Sequence, residues 1–518
     1  MRGIVLVLAV AAAFVIADTS RVQRDVRTKR FATAIVCETC HSNADDSGAM
    51  RDHQGRGIAP HDLWQSSMMA NAARDPFFRA VVAAEAVAAG ADSAAMEARC
   101  LHCHAPMASY EARVAGRTGL ALAQLDNEDD DDDWDVAALA RDGVSCTLCH
   151  QIQPGAKPDG EFTVGDDREI YGPFDQQFGL AMHRVTKYWP KQGKHMLKSE
   201  QCVSCHTSTM PGEVTFLEWE NSTREETCQE CHMPSGNRTR IARTSHGGDI
   251  ASLIPRSPVG KHLFVGGNTL VPKILRDNMD ALHVKAPRAA FDATIAAART
   301  MLREKTARVS IEEARPGVEG IRIAVKVENL TGHKFPTGHP SRRAWLWVRV
   351  FDAKGKLVYE SGRADAKGRL AQDGKDDALL PHFAESTAPS RIQIYEAVLK
   401  GSRIRSHGSR ELVKDNRLLP AGWSPKHANA AATKPIGVGA DEDFVAGSDS
   451  VVYIAPGLEN LPFPYTVEVA LLYQPISPRY LAELFAVDHP EVQRFQRMYE
   501  AAGNAPEVLA RDKLVVIE

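Results

Sequence analysis

Cys146-Thr-Leu-Cys149-His150 is one of five related stretches in this chain of 518 residues. In every copy, two residues separate a pair of cysteines and a histidine directly follows the second cysteine. At the chain's cysteine and histidine content, chance would produce about 0.007 such motifs. The other copies are Cys37-Glu-Thr-Cys40-His41, Cys100-Leu-His-Cys103-His104, Cys202-Val-Ser-Cys205-His206 and Cys228-Gln-Glu-Cys231-His232.

The pattern C-x-x-C-H is the attachment signature of c-type haem. Two thiols at this spacing reach the two vinyl groups on one edge of a porphyrin, and the next residue places its imidazole under the iron. Structural zinc sites and redox dithiols also use C-x-x-C, but neither needs a histidine after every pair. All ten cysteines lie in these motifs, so none is left for a disulfide. We therefore predict five covalent haem c groups with proximal ligands His41, His104, His150, His206 and His232.

The N-terminus resembles a secretory signal. A short basic start precedes an apolar run, and residues 1–17 fit a signal peptide. Arg21 and the basic residues that follow it oppose export, so an uncleaved N-terminal anchor is the alternative. No later segment is apolar enough to span a bilayer. We expect a periplasmic protein, with outer-membrane or extracellular association left open.

Charge bears on the partners of the chain. The formal net charge is -4 and the pI is about 6.6, so no basic field exists for nucleic acid. Residues 126–133 contain seven acidic residues and are expected to form a solvated loop. A basic partner or Ca²⁺ could bind there. The partners that we expect are redox proteins, whose identity as donor or acceptor the sequence does not give.

Composition divides the chain into regions. Residues 31–285 hold all the haem motifs, with one clear helix around residues 75–89. We expect the porphyrins to provide much of the apolar core there. Residues 286–310 are Ala- and Arg-rich and predict a connecting helix. The segment 477–518 is expected to be a helical tail.

Between these regions the periodicity changes to that of strands. Apolar and polar residues alternate from Ile321 to Glu328, and several short runs with turn signals follow. We predict a β-sandwich-like domain over residues 315–475. The fold class is therefore α+β. The other predicted strands are 344–351, 357–359, 392–399, 451–454 and 466–473.

Several further motifs indicate a family. They are His61-Asp-Leu-Trp64, Ser67-Met-Met-Ala70, His262-Leu-Phe-Val-Gly-Gly-Asn268, Thr331-Gly-His-Lys-Phe-Pro-Thr-Gly338 with Arg343-Ala-Trp-Leu346, and Lys414-Asp-Asn-Arg417-Leu-Leu-Pro420. With the five haem motifs, they make the chain resemble multihaem cytochromes c of the cytochrome c554 and hydroxylamine oxidoreductase lineage. The likeness spans most of residues 35–475. It implies a multihaem electron-handling protein but assigns no function to the β region.

The second axial ligand of each iron decides between electron transfer and catalysis, because a saturated iron carries electrons whereas an open face binds substrate. In similar cytochromes, histidines upstream of a motif cap other haems, which implies such a role for His183 and His195. His53, His61 and His102 are weaker candidates, and His246, His262 and His283 follow the last motif. His333 and His339 lie on a Gly- and Pro-rich turn, where a structural role competes with ligation. The distal candidates are Met69, His183, His195, His246, His262, His61 and His333.

Met69 occupies a position where the family often has a histidine within Trp-x-x-Ser-x-His-Ala. Here the same frame runs from Trp64 to Ala70. A thioether ligand would raise the reduction potential of its haem relative to a second imidazole. Packing of Met68 and Met69 against porphyrin is the alternative.

Three function classes remain. The first is electron transfer between periplasmic or cell-envelope redox partners. The second is an oxidoreductase acting on nitrite or hydroxylamine at one five-coordinate haem. The C-x-x-C-K motif of pentahaem nitrite reductase is absent, and hydroxylamine oxidoreductase has eight haems. The third is a binding module in which the β region recognises a partner. We expect an electron carrier rather than an enzyme.

Overall fold

The computed structural model describes residues 25–126, 131–208, 210, 212–371, 379–401 and 411–517, with only the backbone described for 131–134. The predicted signal peptide lies outside the described residues. Within the described ranges, no helix combines the length and the apolar character needed to cross a membrane.

Short helices dominate the part of the chain that carries the motifs. Four motif histidines end a helix, and His150 caps the fifth one. The helices are α1 (Ile35–His41), α2 (Pro60–Trp64), α3 (Pro76–Ala89), α4 (Ser93–His104), α5 (Pro106–Val114), α6 (Asp131–Arg141), α7 (Cys146–Cys149), α8 (Gly179–Thr186), α9 (Val203–His206), α10 (Thr215–Glu220), α11 (Cys228–His232), α12 (Leu270–Asp277), α13 (Arg288–Lys305), α14 (Ala430–Thr433), α15 (Pro478–Phe485) and α16 (Pro490–Ala502).

Helix α3 confirms the helix predicted around residues 75–89. The Asp75 carboxylate caps it by accepting hydrogen bonds from the backbone N–H groups of Phe77 at 2.8 Å and Phe78 at 3.2 Å. Pro76 stands at the first helical position, where no N–H is needed. Gly90 ends the helix with a φ of 58°. Burial raises the pKa of Asp75 to about 7.

The acidic run differs from the expected loop. Residues 131–133 begin α6 instead, and Asp126 forms an ion pair with Arg79 of α3. Acidic residues favour a helix N-terminus, which is a physical reason for this start. Residues 127–130 lie outside the described residues.

Two larger sheets occupy the second half of the chain. One has the order β11-β10-β7-β13-β14, with β8 paired to β7, and the other has the order β5-β6-β12-β9. The strands are β1 (Glu169–Gly172), β2 (Trp189–Gln192), β3 (Ser235–Gly236), β4 (Val259–Gly260), β5 (Ala307–Gly317), β6 (Gly320–Asn329), β7 (Arg343–Phe351), β8 (Leu357–Ser361), β9 (Glu385–Ser386), β10 (Ile394–Leu399), β11 (Leu412–Asp415), β12 (Ser448–Ala455), β13 (Tyr465–Gln474) and β14 (Glu507–Val516).

Buried residues of both sheets belong to one hydrophobic core. Strands β6, β7, β8, β10, β12 and β13 confirm the predicted strand positions. In β6, Ile321, Ile323, Val325 and Val327 are fully buried, as their alternation predicted. The four apolar side chains therefore fix which face of β6 points into the core.

The β region begins earlier in the sequence than predicted. Helix α13 ends at Lys305, and β5 already begins at Ala307, so residues 307–310 are not part of a connecting helix and the β region starts before 315. Pro316 and Gly317 end β5 at a hairpin, where Gly317 pairs with Gly320. Gly320 has a φ of 136°, and an added Cβ would lie 2.0 Å from the Ala455 carbonyl oxygen. The Pro-Gly pair thus marks the turn of the hairpin and not its start.

The C-terminal segment is only partly helical, so the prediction of a helical tail was wrong for residues 507–516. After α15 and α16, these residues form β14, which pairs antiparallel with β13. Leu509 and Val516 become buried in the shared core. Pairing satisfies the backbone groups of β13, which would otherwise be an open edge.

Side chains also build a core in the haem region. Helices α3, α12, α13, α15 and α16 share one buried cluster. Phe77 of α3 packs 5.4 Å from Phe495 of α16 and 5.8 Å from Tyr480 of α15, measured between ring centres. Helices that follow the β region therefore return to pack on a helix of the haem region.

Candidate functional site

Each of the five motifs places both cysteines within or beside one short helix. All ten cysteines are free thiols, with no disulfide among them. A single helical turn brings the two sulfur atoms of a pair to one side, while the histidine follows at its end. Each motif therefore offers two thiols and one imidazole, and their attachment to haem stays a prediction.

Four of the motif histidines share one hydrogen-bond arrangement. In each, Nδ1 lies near a backbone carbonyl oxygen, to which a neutral imidazole donates its N–H. The Nε2 lone pair then remains free to bind a metal. The pairs are His41 with Ile241 at 2.9 Å, His104 with Ala72 at 3.4 Å, His150 with Tyr171 at 2.6 Å, and His232 with Val265 at 2.7 Å.

Burial also keeps three of these imidazoles neutral. Desolvation lowers the pKa of His41 and His150, and it lowers the pKa of His104 to about 4. A neutral imidazole can bind iron, whereas a protonated one has no lone pair to give.

His262 lies opposite His150. Their ring centres are 6.2 Å apart and the ring planes differ by 19°. Two imidazoles on opposite sides of one iron would have centres about 6 Å apart, because each metal–nitrogen bond is about 2 Å and each nitrogen lies about 1 Å from its ring centre. His262 Nδ1 also donates to a backbone carbonyl, that of Gly260 at 3.1 Å. Burial, with His150 nearby, lowers the pKa of His262 to about 3.

His333 follows the same arrangement from the loop between β6 and β7. Its Nδ1 donates to the Lys334 carbonyl oxygen at 2.9 Å, so Nε2 is free. Burial lowers the pKa of His333, and His232 is close enough to contribute to this shift. The β region thus presents an imidazole toward the last haem motif.

His339, on the same loop, has the opposite arrangement. Its Nδ1 accepts a hydrogen bond from the Ser341 backbone N–H at 3.3 Å. The proton of the neutral ring is therefore on Nε2, which lies 3.5 Å from the Tyr480 hydroxyl. Phe77 contacts both rings. His339 is arranged as a hydrogen-bond donor and not as an Nε2 ligand.

The remaining histidine candidates do not share one hydrogen-bond arrangement. His183 stacks on Trp189 at 4.0 Å between ring centres, and its Nδ1 is buried without a hydrogen-bond partner among the described residues. His195 donates from Nε2 to the Ile152 carbonyl oxygen at 3.0 Å, which leaves only Nδ1 for a metal. His246 is exposed.

His61 and Met69 lie near the first and third motifs. His61 is buried, with its ring nitrogens 3.8 Å from Glu38 and 3.6 Å from Asp62. Burial is the largest single influence and lowers the pKa of His61, but the interactions with Asp62, Cys146 and Glu38 together outweigh it, so the pKa is raised. Met69 accepts a hydrogen bond from Val144 N at 2.9 Å through its backbone oxygen. This contact anchors the Met69 backbone to Val144, which lies two residues before the third motif.

Contacts join the first and third motifs. The Thr147 hydroxyl, inside the third motif, donates to the Ala32 carbonyl oxygen at 2.7 Å and accepts from Ala32 N at 3.1 Å. A hydrogen bond between the Cys37 and Cys146 thiols raises the pKa of Cys37. One sulfur of each motif therefore lies beside a sulfur of the other.

The fourth motif contacts the third and the second. Gln201, next to Cys202, donates to the Cys149 carbonyl oxygen at 2.8 Å. Cys103 Sγ lies 4.0 Å from the carbonyl oxygen of Ser204, inside the fourth motif. A hydrogen bond with Cys205 raises the pKa of the Cys103 thiol.

The fifth motif also lies against the fourth. Cys228 N donates to Ser199 Oγ at 3.1 Å, and the Gln229 side chain donates to the Lys198 carbonyl oxygen at 2.7 Å. The hydrogen bond between Cys202 and Cys228 lowers the pKa of Cys228 to about 7. The contacts therefore run from the first motif through the third to the fourth, which also contacts the second and the fifth.

Sequence reasoning missed a buried ionic network that joins the haem and β regions. Lys334 Nζ lies 2.6 Å from Asp415, and Arg417 Nε lies 2.7 Å from the same carboxylate. Arg417 also pairs with Glu218 of α10 at 3.2 Å. Glu218 accepts from Lys334 N at 3.1 Å and from the Thr337 hydroxyl at 2.6 Å. The motifs at residues 331–338 and 414–420, to which the sequence assigned no function, thus hold the His333 loop in place.

One further cluster has the residue types of a metal site. His382 Nε2 lies 2.8 Å from Asp441 and 3.9 Å from Asp449. However, His382 Nδ1 accepts from the side-chain amides of Gln393 at 2.7 Å and Asn416 at 3.1 Å. Those amide orientations are fixed, because each amide oxygen accepts a backbone N–H. The proton of His382 therefore sits on Nε2, where a metal would need a lone pair.

Comparisons with known proteins give limited similarity. No protein-family model matches the chain, and no curated protein matches it. Among solved structures, the chain is similar to a penta-heme cytochrome c552 from Thermochromatium tepidum, with 16% sequence identity and a TM-score of 0.47. The alignment covers 94% of this chain and 99% of that chain.

Proposed function

We propose that this protein is an exported pentahaem c-type cytochrome that passes electrons between redox proteins of the periplasm or cell envelope. The observation that carries the proposal is the series of contacts that links all five motifs, combined with imidazoles whose Nε2 is free. Isolated structural metal sites would not need such contacts.

The residues present fit haem c. The ten cysteines would hold five groups through thioethers, and the motif histidines would bind the irons. When bound, the haems supply one-electron iron couples. The chain fixes four of the five motif imidazoles by a backbone hydrogen bond, excludes water by burial, and would keep the five groups in one connected array.

Saturated irons favour electron transfer over catalysis. We propose His262 as the distal ligand opposite His150, and His333 as a ligand next to the last motif. His61, Met69, His183 and the exposed His246 stay proposed candidates without an assigned iron. His195 would have to bind through Nδ1.

The proposal extends to family and location. The quoted motifs support kinship with the cytochrome c554 and hydroxylamine oxidoreductase lineage. Covalent haem attachment takes place outside the cytoplasm, which supports export. Donor and acceptor are redox proteins of unknown identity.

One observation favours the alternative of a multihaem oxidoreductase for nitrite or hydroxylamine. His339 and Tyr480 are in contact, and the Nε2 proton of His339 makes it a hydrogen-bond donor. His104 of the second motif contributes to the lowered pKa of His339, whose main cause is burial. A donor pair near an iron could bind a small anionic substrate if that iron had an open face.

Carbon monoxide distinguishes the two functions, because it binds only an iron with an open or labile face. A reduced-minus-oxidised spectrum should be recorded with and without carbon monoxide. The electron-transfer proposal expects no change. A shift equal to one haem of five would favour the alternative, and Tyr480→Phe should then alter nitrite reduction without changing haem content.

A further inference from the structure

The segment 176–199 carries an unusual charge. It contains no aspartate or glutamate, although the average content of 66 in 518 residues would give about three. Its basic residues are Arg184, Lys187, Lys191, Lys194 and Lys198. We name residues 176–199 the basic segment. It contrasts with the net charge of -4 of the whole chain.

All five basic side chains belong to exposed residues. Lys191 pairs with Glu169 at 2.6 Å. Within the described part of the chain, the four others form no ion pair. They therefore keep their full charge for a molecule that approaches this surface.

An exposed aromatic ring lies among these charges. Trp189 is 42% exposed and is held flat by His183, whose ring centre lies 4.0 Å away with 14° between the planes. Tryptophan and arginine are enriched at protein interfaces, where a rigid apolar ring surrounded by charge is a common centre. The surface therefore combines a fixed apolar centre with a basic rim.

The inner side of the basic segment touches the haem motifs. Met182 and Tyr188 pack in one cluster with Val36, which directly precedes the first motif. Strand β2 of the segment pairs with β1, whose Tyr171 accepts the hydrogen bond of His150. The segment thus packs beside the first motif and, through β1, lies next to the third.

We propose that the basic segment is the docking surface for an acidic redox protein. The inference rests on the proposed electron-transfer function and names the class of its partner. Opposite charge would steer the partner to a surface that packs beside the first motif, which raises the association rate. Redox encounters are weak and small, commonly below about 1,200 Å² of buried area, so four free charges and one ring suffice.

The test uses the complete haem-loaded protein and two probes, an acidic flavodoxin and a redox protein of net positive charge. The variant Lys187→Glu, Lys194→Glu, Lys198→Glu reverses the rim. The control Lys354→Glu, Lys356→Glu, Lys426→Glu makes the same change in net charge at exposed lysines of the β region. Stopped-flow mixing measures the second-order electron-transfer rate as a function of ionic strength.

We expect the rim variant to lose about ten-fold in rate with the acidic probe at low salt and to lose most of its salt dependence. The control variant should change less than about two-fold. Equal effects of both variants, or no effect of either, would overturn the docking surface. A wild-type protein that exchanges electrons equally fast with both probes would overturn it too, while leaving the electron-transfer function intact.

Two other roles of the lysines give different results. If they bind haem carboxylates, the rim variant should shift a reduction potential while the rate with the acidic probe stays unchanged. If the surface binds anionic lipid, vesicles containing phosphatidylserine should retain the wild type and release the rim variant, with unchanged electron transfer. Either result would overturn the proposal. The variant Trp189→Ala provides a second check, because it should slow transfer at high salt, where steering is screened.

Discussion

The imidazole rings of His150 and His262 lie 6.2 Å apart between centres, almost parallel, and each is held by a hydrogen bond from Nδ1 to a backbone carbonyl oxygen. This is the spacing that two axial ligands of one iron require. The two residues are far apart in sequence, so their pairing follows from the fold and not from a local motif. The pair supports our proposal that a haem held by the third motif would have both faces of its iron occupied.

Removal of His262 should open the third haem. In His262→Ala we expect carbon monoxide to bind one reduced haem of five that does not bind it in the wild type. His427→Ala is the matched control, because that histidine lies in the β region and is not a candidate ligand. Optical titration with carbon monoxide measures both. If His262→Ala behaved like the control, His262 would not be a ligand.

Met69 provides a test of the predicted thioether ligand. If its sulfur binds iron, one haem should titrate at a higher potential than the others and show the weak sulfur-to-iron band in the far red. Met69→His should abolish the band and lower that potential, and Met69→Ala should admit carbon monoxide. Spectroelectrochemistry measures each change. Unchanged spectra and potentials in Met69→Ala would make Met69 a packing residue.

Asp415 should be essential for stability. Burial opposes its charge, but Arg417 and Lys334 outweigh burial and lower the pKa of Asp415 to about 2. Asp415→Ala leaves the buried Lys334 ammonium without its carboxylate partner and Arg417 with Glu218 alone, and it should cost about 3–5 kcal/mol in guanidinium unfolding. Glu328→Ala, which removes an exposed pair with Arg308, should cost about 0–1 kcal/mol.

The lowered pKa of Asp415 also predicts how stability depends on pH. Because its folded-state pKa is lowered, the Asp415 carboxylate stabilises the fold fully above its ordinary pKa of about 4. That contribution is lost as the pH falls toward about 2. The wild type should therefore lose stability over this window more steeply than Asp415→Asn. Parallel acid-unfolding curves of the two proteins would contradict this assignment.

A fragment limited to residues 316–473 should fail to fold. It lacks β5 and β14, which pair with β6 and β13. Their loss exposes an edge of each sheet and part of the shared core. A fragment of residues 307–517 restores both strands, so the comparison isolates their effect. Far-ultraviolet circular dichroism of the two fragments measures it, and a folded shorter fragment would show that the outer strands are dispensable.

The motifs and several strands could be predicted from the sequence because their signals are local. Alternation identified β6, and an N-cap aspartate followed by Pro76 identified α3. Strand β14 has no comparable alternation, and its conformation depends on pairing with β13, so sequence reasoning extended the preceding helices through it. The start of β5 was missed because Pro316-Gly317 was interpreted as the beginning of the β region.

The axial roles could be narrowed but not assigned from the sequence. His262 was one of several candidates, and only its distance from His150 singles it out. His333 and His339 lie on one turn and look equivalent in sequence. Their ring protons differ because one Nδ1 meets a carbonyl oxygen and the other meets the Ser341 N–H. Such differences arise from backbone geometry that no residue pattern contains.

Coulometric titration of the purified protein tests the central claim most directly, because it counts electrons per chain. The account predicts five electrons per chain, and acidic organic extraction of a separate sample should release no haem, since thioethers would hold all five porphyrins. Fewer than five electrons, or a protein that retains zinc and takes up none, would contradict the pentahaem electron-transfer function.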